Sequence, residues 1–263
     1  MLKRELKINF KSFCIWTVVL LVLFLVVFLI YPSMLESENM KMLNEMMEVF
    51  PKELLKAFNM DISSIDSAFG FLKTEGFVFI LLITGLYSSV LGSNILLKEE
   101  NDKTIEYLNA LPIKRKNILL KKLICGFIYI LSMIVVIGIF NYIGLELSGN
   151  FNKKQYILLS VTPFLSTLPL FSISLFISTF THKTKKIFGI SLGIPLISYF
   201  LQIISELSEV TEFFKYFSVY TLSDIRNVIT TISINPIMII LSISVTLLFI
   251  ILTFIRYEKK ELV

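Results

Sequence analysis

Few residues in this chain could carry covalent or metal chemistry, and they do not gather. His182 is the single histidine, in the basic run FTHKTKK, with no ligand partner nearby in sequence. Cys14 and Cys125 sit in separate apolar runs, which argues against a disulfide framework or a zinc site. No G-x-x-x-x-G-K-[ST] run occurs, so this chain offers no phosphate cradle of its own. Glu99 and Glu100 form an acidic pair of the kind seen in membrane proteases, but such a site needs histidines inside the apolar runs, and there are none. Six of the nine methionines (Met34, Met40, Met42, Met46, Met47 and Met60) cluster in one stretch. Clustered thioethers can hold Cu(I), although they more often give a helix an adaptable apolar face. With no nucleophile–base pair to assemble, the chemistry to look for is recognition.

The densest block of charge, KEENDKTIEYLNALPIKRKNILLKK, begins at Lys98 and ends at Lys122. Within it Asp102 is a candidate N-cap, and 103–110 is long enough for two helical turns. Ile105, Leu108 and Leu111 recur at i, i+3 and i+6, a narrow apolar stripe beside Glu106 and Tyr107. Pro112 cannot sit inside a helix without losing a hydrogen bond, yet suits a first helical position. The block therefore predicts a short surface helix, a break at Leu111–Pro112, and a new helix running on through Arg115. Two turns are too short to be stable alone in water. The short helix needs lipid headgroups or a partner's groove.

The elements that hold this block are apolar. The chain has 263 residues, 55% of them hydrophobic and 17% charged, and a mean hydropathy of +0.79. That composition places it among polytopic membrane proteins and leaves no polar stretch long enough for a soluble domain. A helix needs roughly 20 apolar residues to cross the hydrocarbon core. Six runs qualify, at 12–31, 76–97, 123–147, 156–180, 187–204 and 237–255. The expected fold is all-α: an N-terminal interfacial helix plus six transmembrane helices in one transmembrane domain over 1–263, with external segments at 32–75 and 205–236. Pro163, Pro169 and Pro195 should kink their helices, with neighbours supporting the freed backbone.

With the N-terminus inside, the inner segments carry 17 of the 25 lysines and arginines but 7 of the 20 acidic residues. The inner face is then +10 and the outer −5, so both termini are expected on the cytoplasmic side, and usage rich in lysine, isoleucine, asparagine and phenylalanine points to a bacterial cell. The first run is too long for a cleaved signal and reads as a retained anchor. Leu2, Leu6, Phe10 and Phe13 share one helical face and Lys3, Arg4, Lys7 and Lys11 another, the pattern of a helix lying on the inner leaflet. In the second external segment Val210, Phe213, Phe214, Phe217 and Tyr220 repeat with helical spacing, which predicts one half-buried helix.

The block at 98–122, read in this frame, resembles the cytoplasmic loop between the second and third spans of type-2 ABC exporter permeases. The matching residues are Glu100, Thr104, Glu106, Tyr107, Leu108, Leu111, Pro112 and Arg115; Lys103 stands where the family usually has glycine. The likeness runs the length of the chain, including the large first external loop and the closing RYEKKEL. It implies a coupling helix, with Ile105 on its stripe, that inserts into a groove on a separate cytosolic ATPase. It also implies ATP-Mg on that ATPase and no cofactor on this chain, a second permease copy or paralogue, and contact with lipids but not nucleic acid. The alternative is a membrane immunity or scaffold protein that binds a partner without moving cargo. No Asp, Glu, Lys, Arg or His lies well inside the six runs; Glu146 sits at an end. That argues against an ion-coupled secondary transporter. Small residues at Gly85, Ser88, Ser89, Gly92, Ser93, Gly189 and Gly193 allow close helix approach. They would line a dimer seam or pathway, or pack within one subunit. A hydroxyl and aliphatic pathway favours amphipathic or lipid-like cargo.

Overall fold

The computed structural model describes residues 1–34, 45, 67–102, 114–181 and 184–260. Among them all regular structure is helical, as a chain in hydrocarbon requires, because a helix satisfies its backbone internally. Six helical spans are long and apolar enough to cross a membrane. They comprise α1 (Leu2–Met34), α2 (Ala68–Asn101), α3 (Arg115–Ser148), the pair α4 (Lys153–Val161) and α5 (Phe164–Ser178), α6 (Thr184–Leu207) and α8 (Pro236–Lys259). A short α7 (Ile225–Thr231) precedes the last. Each helix contains or nearly contains the run expected of it and extends beyond it into charged residues.

The N-terminal segment is not a separate interfacial helix. It forms the first turns of α1, whose 33 residues span about 50 Å at 1.5 Å per residue. Glu5 and Asn9 are buried there, while Phe10 is 57% exposed. The segment 205–236, expected outside, also departs from expectation. In place of one half-buried helix it has two 3₁₀ helices, Glu209–Tyr216 and Val219–Leu222. Val210, Phe213 and Phe217 are exposed and Tyr220 alone of the repeating residues is deeply buried.

The prolines act as expected, and the structure shows which neighbours compensate. Pro163 breaks the fourth span, leaving Thr162 and Pro163 between α4 and α5. Pro169 lies inside α5 and Pro195 inside α6, so the carbonyls four residues earlier lose their helical donor. The Ser242 hydroxyl of α8 donates to the Leu165 carbonyl at 2.6 Å. The Ser89 hydroxyl of α2 donates to the Ser191 carbonyl at 2.6 Å. Both orphaned acceptors are thus filled from another helix.

Central helix α2 packs most extensively on α5 and also on α6; α8 packs on α5, and α1 on α3. Gly92 allows α2 to come close to α5, since a Cβ there would collide with the Phe171 carbonyl. Helices α1 and α8 are peripheral and turn Val18, Val22, Leu29, Ile240 and Ile251 outward, as lipid contact demands.

Candidate functional site

The lysine-rich end of the bundle holds two ion-pair clusters built on consecutive glutamates at the end of α2. Glu99 faces one way. Its carboxylate accepts from Lys122 Nζ of α3 at 2.7 Å, and the same ammonium reaches Glu5 of α1 at 3.2 Å and the Ile95 carbonyl at 2.6 Å. All three side chains are at most 4% exposed. One lysine thus ties three helices together, a single ammonium shared between two buried carboxylates. Asn9 and the Tyr129 hydroxyl bond to the Glu5 and Leu6 carbonyls beside it.

Glu100 faces the other way, toward the end of α8. Its carboxylate accepts from Lys260 Nζ at 2.7 Å, with both side chains at most 5% exposed. Lys260 also donates to the Thr181 carbonyl at 2.9 Å, in the connection between α5 and α6. Burial pulls its ammonium below the ordinary lysine range, while the Glu100 carboxylate opposes that shift. From the far side Arg115, in the first turn of α3, donates through one guanidinium nitrogen to the Lys260 carbonyl at 2.9 Å and the Glu258 carbonyl at 3.3 Å. The last carbonyls of a helix lack internal donors, so Arg115 completes the end of α8.

Glu100 and Arg115 flank the segment expected to form the short helix. That segment, with Thr104, Ile105, Glu106, Tyr107, Leu108, Leu111 and Pro112, lies outside the described residues. So does nearly all of the methionine-rich stretch. The two flanking residues meet on Lys260: one holds its side chain, the other its backbone. Exit from α2 and entry to α3 are thereby tied to the last span. Beside them a cleft of about 260 Å³, lined in part by Asn9, Asn94, Lys98 and Asp102, separates α1 from α2.

The small residues divide into two groups. Gly85, Ser88, Ser89, Gly92 and Ser93 are buried within the subunit. A Cβ at Gly85 would meet the Tyr220 hydroxyl and Leu170, and the Ser89 hydroxyl also meets that of Ser174. Ser88 and Ser93 turn back onto the Gly85 and Val90 carbonyls of their own helix. Gly189 and Gly193 instead stand on an open face of α6, with nothing within 4 Å of where a Cβ would be.

Sequence reasoning missed Glu5, Glu99, Lys122 and Lys260 as a site because each stands just outside an apolar run and reads as topology-fixing charge. A usable signal was present: opposite charges placed at the same end of four different spans.

No curated protein and no solved structure matches this chain. The family model described as ABC-2 family transporter protein matches residues 1–262, nearly the whole sequence. The chain, with its six spans, belongs to the ABC-2 transporter family and is a multi-pass membrane permease component of an ABC transporter.

Proposed function

We propose that this permease exports an amphipathic or lipid-like substrate across a bacterial cell membrane, driven by a separate cytosolic ATPase that binds ATP-Mg. The chain acts as one permease domain, its lysine-rich end and both termini in the cytoplasm. The segment 103–113 contains the coupling helix, over 103–110 with a break at Leu111–Pro112, and Ile105, Leu108 and Leu111 give the apolar stripe that enters the ATPase groove. The observation that carries this reading is the double grip of Glu100 and Arg115 on Lys260. It anchors both ends of that segment to the last span, so a push on the segment reaches α8.

A second copy or paralogue completes the pathway. Gly189 and Gly193, spaced four apart on an open face of α6, suit close approach by a helix of that second subunit.

Co-purification from detergent with the ATPase encoded beside this chain tests the reading. Wild type is expected to retain the ATPase, and Leu108→Asp, inserted at the same level, to lose it. If neither retains an ATPase, the permease has no engine and a non-transporting scaffold becomes the better account.

A further inference from the structure

The Glu5–Lys122–Glu99 cluster has one carboxyl more than it has cations. Two carboxyls share a single ammonium, and none of the three side chains is more than 4% exposed. Lys122 divides its contacts unevenly. Its Nζ lies 2.7 Å from both oxygens of Glu99 and 2.6 Å from the Ile95 carbonyl, but 3.2 and 3.4 Å from the oxygens of Glu5. The Glu5 carboxyl also stands within hydrogen-bond reach of the Glu99 carboxyl. Ionised carboxylates are acceptors only, so a bond between these two requires a proton.

Among the described residues, no other cation fills the gap; Lys122 is the one that acts on Glu5. On α1 itself Lys3, Arg4 and Lys7 are exposed. On α2, Lys98 donates to the Ile8 carbonyl at 3.3 Å, and Glu100 turns away to Lys260. On α3, Arg115 is engaged by the Glu258 and Lys260 carbonyls, the Tyr129 hydroxyl donates to the Leu6 carbonyl, and Cys125 is a buried free thiol. From α8 the buried Tyr257 comes within electrostatic reach of both Glu5 and Glu99, and it brings a phenol rather than a positive charge. With both carboxyls ionised the cluster would hold a net negative charge where water cannot screen it. Carboxyls in contact avoid that state by keeping one proton between them.

We propose that Glu5 and Glu99 form a proton-binding site, sharing one proton taken from solvent at the lysine-rich end, and that this proton clasps the first turns of α1 onto α2 and α3. Its loss sets two buried carboxylates against each other and releases the start of α1 from the last turn of α2. That turn also carries Glu100, the anchor of segment 103–113 on Lys260. The clasp belongs to the chain alone and does not rest on the permease reading.

The test uses purified full-length protein in detergent, without ATPase, as wild type, Glu5→Gln and Glu99→Gln. Each substitution leaves Lys122 a single carboxylate and removes the shared proton, whichever oxygen carries it. Near neutral pH the infrared spectrum of either variant is expected to lack one protonated-carboxyl carbonyl band that wild type shows. The folded wild type then holds a proton that the unfolded chain gives up above the ordinary glutamate value of about 4.3, so its stability falls as pH rises. Its melting temperature should drop relative to both variants by about 3–5 °C per unit between about pH 5 and 7. Loss of carboxylate bands in place of the carbonyl band overturns the proposal, as do parallel pH profiles for all three proteins. If one variant fails to insert, the other decides alone.

Discussion

Ser89 and Ser242 show how much a single hydroxyl can do in a membrane helix. Each lies on one helix and fills a carbonyl that a proline has orphaned on another. Alanine at either position leaves that acceptor bare where no water can replace the donor. Each change is expected to cost about 1–3 kcal/mol, read as a lower melting temperature in detergent. Lys122 should matter more. Lys122→Met leaves Glu5 and Glu99 facing each other without a counter-ion, and breaking a buried pair of this kind costs about 3–5 kcal/mol. Adding Glu99→Gln should recover part of the loss. A double variant no more stable than Lys122→Met would mean that the lysine acts through packing instead. The prolines were legible in the sequence. Their compensating serines were not, because each partner lies 77 or 102 residues away.

Whole elements were easiest to read where hydropathy alone decides them, as in the six spans. The start of α1 was misread because local periodicity selects an apolar face. Leu2, Leu6 and Phe13 do pack on the core, but the orientation also answers to Glu5, whose partner Lys122 is 117 residues distant. Val210–Tyr220 was misread for a related reason. Its spacing fits an α-helix, yet the Ser218 hydroxyl donates to the Ser198 carbonyl of α6 at 2.7 Å, tying the chain down between two 3₁₀ helices. The seam between α2 and α5 yields a further expectation. Gly92→Ala pushes a methyl into the Phe171 carbonyl, and overpacking of this sort costs about 1–3 kcal/mol. Unfolding by denaturant should show it, whereas Gly138→Ala, where a Cβ would meet only Ser160 at ordinary contact distance, should be no less stable than wild type.

The whole molecule is a bundle with a basic end, where two ion clusters brace the flanks of segment 103–113, and an acidic end, where Glu206, Glu209, Glu212 and Asp224 line one cleft. Composition exposed that polarity before any coordinates did, since lysines and arginines concentrate in alternate loops. Burial was invisible in it: charges that fix topology and charges that staple helices have the same letters. If the basic end is cytoplasmic, a cysteine replacing exposed Lys153 should react with an impermeant maleimide in intact cells. One replacing exposed Lys116 should react only after permeabilisation. The reverse pattern would invert the topology. Both positions hold surface ion pairs whose loss costs little.

Coupling through segment 103–113 is the claim on which the transport account turns. The most direct measurement places a photo-crosslinking p-benzoylphenylalanine at Leu108 in living cells, with a control at exposed Phe213 at the acidic end. A crosslink to the ATPase from position 108 and none from 213 is the result expected. ATPase captured from 213, or from neither position in cells that express it, would contradict the coupling role.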